Sequence, residues 1–192
     1  IDQNPVYYEF MLETNWRTER VVNITDHITL RSHKRYELDR VVPEVRDAWA
    51  LLVSSSYSQD LSVQDGTGVP HMGSAENWAF EKDRHTPSST MCQIYDAWTK
   101  LITASAQIAA IEPFRYDLVN TGREVLAQLA GPFGQNFTDA IGAAAGKMDS
   151  KLIGSTGAAY AAILNDVDEL TGTDTALSLG PWLAMAKKFA DD

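Results

Sequence analysis

The chain has 192 residues, 44% of them hydrophobic and 22% charged, enough to bury one substantial core. Lys and Arg total 16 against 26 Asp and Glu, a formal net charge of -10, so the basic footprint that nucleic acid or an anionic membrane requires is missing. No apolar run approaches the roughly 20 residues of a membrane-spanning helix, and Cys92, the single cysteine, offers no internal disulfide framework.

The chain opens Ile1-Asp2-Gln3-Asn4, with neither an initiator methionine nor a basic-plus-apolar leader, and is expected to be a piece of a longer polypeptide. Asn4 suits a helix cap and Pro5 a first helical position; Tyr8, Met11, Leu12 and Trp16 follow at helical spacing, predicting a helix over 5–15. Asp26 is expected to cap a basic stretch reaching Tyr36, in which Arg31, Lys34 and Arg35 share one side, read as a solvated face. Pro43 introduces a third helix carried by Val45, Ala48, Trp49, Leu52 and Val53, which Ser54-Ser55-Ser56 breaks.

Residues 58–88 show no sustained period and scatter Gly66, Gly68, Pro70, Gly73 and Pro87 among polar residues, the signature of a long loop. Trp78 and Phe80 within it are costly to leave in water, so the loop is expected to pack on something, such as a domain outside the sequence. Ser88 or Ser89 caps the next helix, whose Met91, Ile94, Trp98, Leu101 and Ile102 recur until Ile111 and Pro113. Asp96-Ala97-Trp98 there repeats Asp47-Ala48-Trp49, so two related helices are expected each to bury a tryptophan.

From Phe114 a further helix presents Leu118, Val119, Val125, Leu126 and Leu129, and Gly131-Pro132-Phe133-Gly134 reads as its stop. Residues 135–192 are rich in Ala and Gly, with Phe137, Ile141, Leu152, Tyr160, Ile163 and Leu170 in helical register. Thr171-Gly172-Thr173 is a turn, and Leu177, Leu179, Trp182, Leu183 and Phe189 form a final amphipathic segment with Lys187 and Lys188 near its end. No useful β-alternation occurs, so the fold class is all-α.

Glu9, Glu13, Asp26, Asp47, Asp96, Asp117 and Asp168 all fall in expected helices or caps, where dipole compensation or solvation is the ordinary role of a carboxylate. No catalytic residue is assigned. No His-x-x-x-His spacing, cysteine pair, Gly-rich phosphate loop or Gly-x-Ser-x-Gly elbow stands in the sequence, so neither metal nor cofactor is expected. In Phe114-Arg115-Tyr116-Asp117 an arginine lies between aromatics and could pair with Asp117 or Glu112; this is read as fixing helix to helix. His71 in the long loop has a titration range suited to sugar or carboxylate contact, although a lone loop histidine is ordinarily incidental. Asn23-Ile24-Thr25 and Asn136-Phe137-Thr138 are N-glycan acceptor sequons for a protein that enters the secretory pathway.

Taken in order, Ile1-Asp2-Gln3-Asn4-Pro5-Val6-Tyr7-Tyr8, Asn15-Trp16-Arg17, Ala48-Trp49, Tyr95-Asp96-Ala97-Trp98, Phe114-Arg115-Tyr116-Asp117-Leu118 and Leu179-Gly180-Pro181-Trp182-Leu183 resemble the α-N-acetylglucosaminidases of glycoside hydrolase family 89. The resemblance spans essentially the whole chain. It implies that residues 1–4 leave a (β/α)8 catalytic barrel just past the nucleophilic glutamate, and that 1–192 is the carboxyl-terminal helical domain packed on that barrel, cut at both ends. It also implies that both catalytic glutamates lie upstream, so that the chain alone is inactive. The parent would remove terminal α-linked N-acetylglucosamine from heparan-type glycans with retention, without metal, in a lysosomal or secreted location. The family's pocket takes a histidine from the long loop, which points to His71, although Thr86-Pro87 stands where an Arg-Pro pair is common. The partners implied are the missing barrel and the glycan, with a homo-oligomer left open. The rival expectation is a non-catalytic helical protein-interaction domain, or a structural subunit descended from such an enzyme.

Overall fold

The helix at 89–108 illustrates how this sequence builds its elements. Ser88 accepts a hydrogen bond from the Met91 N–H at 3.1 Å, and Ile94, Ala97, Leu101, Ala104 and Ile108 then repeat along one buried stripe. In the computed structural model, which describes residues 5–19, 21, 23–58, 88–143 and 149–190, the chain is helical, with no strand among the described residues. The helices are α1 (Pro5–Trp16), α2 (Ile24–Arg35), α3 (Pro43–Ser54), α4 (Ser89–Ile108), α5 (Glu112–Ala143), α6 (Ser150–Thr171) and α7 (Leu179–Ala190). Single 3-10 turns at Ser56–Ser58 and Thr175–Leu177 follow α3 and α6.

Extensive packing runs in sequence order, α2 on α3, α3 on α4, α4 on α5 and α5 on α6. The main core lies among α2, α3, α4 and the start of α5, around the fully buried Tyr36, Val45, Trp49, Leu101 and Phe114. A second, smaller cluster of Met91, Ile94 and Val125, with Trp98 and Leu129 against it, joins α4 to α5. The two repeated tryptophans therefore end in different places: Trp49 is 2% exposed in the main core, whereas Trp98 is half-buried in the second cluster.

Three expectations need correction. First, α5 does not stop at Gly131-Pro132; it continues to Ala143 with Pro132 inside it. Proline leaves the Gln128 carbonyl without its N–H partner, but the following turns are held sideways by α6. Phe137 stacks on Tyr160 with centroids 6.5 Å apart, and side-chain-free Gly134 and Gly157 let those rings approach the opposite backbone. Second, α2 is capped by Asn23, whose Oδ1 accepts from the Asp26 N–H at 3.2 Å. Asp26 occupies the first turn instead. Third, Arg31 and Arg35 are not a solvated face, since both reach acidic partners on other helices.

The end of α2 is also specific. The Leu38 N–H donates to the His33 carbonyl and the Glu37 N–H to the Lys34 carbonyl, the two bonds of a Schellman stop. Glu37 takes φ 51 there, the left-handed conformation in which glycine is usual. His33 then ties the turn to α3: its Nδ1 meets the Thr29 carbonyl at 2.9 Å, and its Nε2 accepts from the Val42 N–H at 3.2 Å. Those partners assign the proton to Nδ1.

Candidate functional site

The densest buried chemistry is a polar chain linking α1, α2, α3 and α5. Arg35 donates through Nε to Asp117 Oδ2 at 2.9 Å and more weakly through Nη2 to Oδ1 at 3.4 Å. The Tyr36 hydroxyl donates to the same Oδ2 at 2.8 Å and itself accepts from Trp49 Nε1 at 3.0 Å. Phe114 closes the site with its ring edge-to-face against Tyr36, centroids 5.5 Å apart. On the outer side Glu9 of α1 pairs with Arg31 and lies 3.8 Å from Arg35.

Asp117 is 6% exposed. Burial pushes its carboxyl above the ordinary range, and Arg35 and the Tyr36 hydroxyl offset that push only in part. Burial, followed by the neighbouring Asp117 charge, also drives the Tyr36 phenol well above its usual value. On α5 a polar stripe continues from Asp117 through Thr121 and Glu124 to Gln128, all 6–9% exposed. Gln128 Nε2 donates to Glu124 Oε1 at 3.0 Å, and burial pushes the Glu124 carboxyl up. The spacing i, i+4, i+7, i+11 is legible in the sequence, yet reading α5 for its apolar positions alone passes over it.

This arrangement fixes helices; it is not built for hydrolysis. Asp117 and Glu124 are seven residues apart on one helix, about 10 Å along its axis, whereas retaining glycosidase chemistry places two carboxyls ~5 Å apart across a sugar. Asp117 also has its oxygens occupied by Arg35 and Tyr36. Among the described residues no group of three His, Cys, Asp or Glu side chains could hold a metal ion, and no helix is long and apolar enough to cross a membrane.

The residues singled out in the sequence divide accordingly. Asp117 and Trp49 meet in the same network, bridged by Tyr36. Arg115 lies exposed at the start of α5, and the guanidinium that meets Asp117 is that of Arg35, a residue 82 positions away in sequence. Trp98 lies over Gly122 of α5, where a Cβ would fall 2.7 Å from the indole Nε1. Asn23 and Asn136 are exposed, the first at the α2 cap and the second within α5. His71, Trp78 and Phe80 lie outside the described residues, as does most of the 58–88 loop.

Two surface features complete the site. An open cleft of about 460 Å³ runs along α2 and the segment before α3, with Thr25, Thr29, Leu30, Leu38, Arg40 and Val41 among its walls. At each end of the described chain a helix shows an apolar face to solvent. On α1 this is Tyr8, Met11, Leu12 and Trp16, the last 87% exposed; on α7 it is Leu179, Trp182, Leu183 and Phe189, 40–73% exposed.

A family model described as "Alpha-N-acetylglucosaminidase (NAGLU) C-terminal domain" matches residues 28–192. The human protein described as "Alpha-N-acetylglucosaminidase" is 26% identical over 190 residues, 99% of this chain and 24% of that protein. The chain thus spans about a quarter of the length of the curated relative it matches. With the helical architecture and the family match in agreement, the chain belongs to the alpha-N-acetylglucosaminidase C-terminal domain family.

Proposed function

We propose that this chain is the helical support of a retaining exo-α-N-acetylglucosaminidase, which removes terminal N-acetylglucosamine from heparan-type or related glycans, and that the chain alone hydrolyses nothing. The family match over 28–192 carries this reading. In it, residues 1–4 leave the catalytic barrel, 1–192 belongs to the carboxyl-terminal helical part, and the 58–88 loop brings His71 toward the rim of the sugar pocket. The apolar faces of α1 and α7 support it, because a barrel packed on them would remove Trp16, Trp182 and Phe189 from water. The Arg35–Asp117–Tyr36–Trp49 network then keeps α2, α3 and α5 in register beneath that contact. The polypeptide is exported, to a lysosomal compartment or outside the cell, with Asn23 and Asn136 as exposed glycan acceptors.

The reading is tested with an aryl α-N-acetylglucosaminide, comparing the full-length polypeptide with the isolated chain and following the first-formed sugar by NMR. The full polypeptide is expected to release the α-anomer first, and the isolated chain to release none. Turnover by the isolated chain, or a β-anomer first product, contradicts it. The α7 face also favours a second reading, a protein-interaction domain of an enzyme-derived subunit; a full-length polypeptide without hydrolase activity would point there.

A further inference from the structure

The cleft beside α2 and the sequon at its amino terminus belong together. Asn23, with its own backbone extended at φ -127 and ψ 108, is exposed, and two and three residues later Thr25 and Asp26 line the cleft. Around it Ile24, Leu30 and Val41 are 53%, 58% and 62% exposed, aliphatic surface that the described helices leave uncovered. Arg40, Asp39 and Thr29, which also line the cleft, supply donors and acceptors beside that aliphatic surface. The cleft is open to solvent, with a volume of about 460 Å³, and offers aliphatic surface beside polar groups, the combination a sugar ring meets when it lies on a protein surface.

The capping bonds of Asn23 are compatible with a sugar on the same side chain. Its Oδ1 accepts from the Asp26 N–H, and its Nδ2 donates one hydrogen to Asp26 Oδ2 at 2.7 Å. A glycosylated asparagine keeps that oxygen and one amide hydrogen, the number these two bonds use. We propose that Asn23 carries an N-linked glycan whose innermost N-acetylglucosamine lies in this cleft, covering Leu30 and Val41. The Nδ2–C1 bond forms as the C1–O bond of a lipid-pyrophosphate-linked oligosaccharide breaks. The pyrophosphate leaves with the electron pair, and the Nδ2 proton passes to the transferase. Asn136, by contrast, is an exposed position within α5 whose neighbours Gly134 and Phe137 face Tyr160.

This inference rests on the export reading above, and the two sequons separate their failures. The full-length polypeptide is made in its native host and Asn23 and Asn136 are assayed by peptide mass, followed by timed amidase deglycosylation of the native and denatured protein. Asn23 is expected to be occupied and to lose its glycan about tenfold more slowly from native than from denatured protein, a factor equivalent to about 1.4 kcal/mol of seating. Leu30→Glu, at an exposed position of α2, is expected to restore fast release, while Thr25→Ser retains the sequon and the slow rate. An unmodified Asn23 beside an occupied Asn136 overturns the proposal alone; both unmodified overturns it together with export. Release from native Asn23 as fast as from denatured protein, or unchanged by Leu30→Glu, also overturns it.

Discussion

Replacing Asp117 by alanine removes the one acceptor shared by Arg35 and Tyr36. The Tyr36 hydroxyl, on a residue with 0% exposure, then has no acceptor, a loss of ~1–3 kcal/mol for a buried donor. Breaking a buried ion pair by deleting one partner costs ~3–5 kcal/mol. Here the cost falls toward the low end, because the Arg35 side chain is 21% exposed and keeps Glu9 at 3.8 Å. We expect a total of about 3 kcal/mol, read as a lower urea midpoint with unchanged slope; with slopes of ~1–3 kcal/mol/M the shift is at least about 1 M. The upward push on the Asp117 carboxyl means that burial outweighs what the pairing returns. Removing both partners, as Arg35→Met with Asp117→Leu, should therefore cost less than the two single changes summed. A loss below about 1 kcal/mol for Asp117→Ala, the behaviour of an exposed ion pair, would refute this reasoning.

Other changes test other parts of the fold. Glu37→Gly relieves the left-handed conformation at φ 51, worth ~1–2 kcal/mol, against the ~0.5–1 kcal/mol entropic penalty of glycine, so the melting temperature should rise slightly. Gly122→Ala sets a Cβ 2.7 Å from Trp98 Nε1 and 2.9 Å from Leu170 Cδ2, and should lower stability by ~1–3 kcal/mol with a change in tryptophan fluorescence. The buried carboxyls set a pH dependence. For Glu124 the folded state holds its proton to higher pH than the unfolded state, whose ordinary value is 4.5. Between those values the native state binds more protons, so this contribution to stability falls as pH rises through the window and is constant above it. Glu124→Gln should flatten that slope in unfolding curves measured across mildly acidic pH. Tyr36 acts in the same direction above its ordinary 10.0, so stability should also fall in alkali, and Tyr36→Phe should remove that part.

Local signals carried most of the helices. Pro43 opens α3, Ser88 caps α4, and the buried stripe from Ile94 to Ile108 matches the apolar spacing of the sequence. The departures arise where two local signals compete or where the partner is distant. Asn23 and Asp26 are both good capping residues three positions apart, and only the backbone conformation at Asn23, φ -127 and ψ 108, decides between them. Gly131-Pro132 is a sound stop in isolation, but the close approach of α6 at Gly134 and Gly157 outweighs it. Arg35 and Asp117 are 82 residues apart, so nothing local shows that Arg35 on the basic side of α2 pairs with α5. The converse holds for Arg115, which is close to Asp117 in sequence but exposed in the fold. Composition could not indicate that α1 and α7 leave apolar faces uncovered.

Under the proposed function these helices form one part of a glycosidase polypeptide whose remainder covers α1 and α7. Hydroxyl-radical footprinting of the isolated chain and the full-length protein, followed at Trp16, Trp182 and Phe189, tests it most directly. These side chains are 87%, 40% and 73% exposed here, so strong labelling of the chain and clear protection in the full protein are the expected result. Equal labelling of all three in both forms would contradict the account.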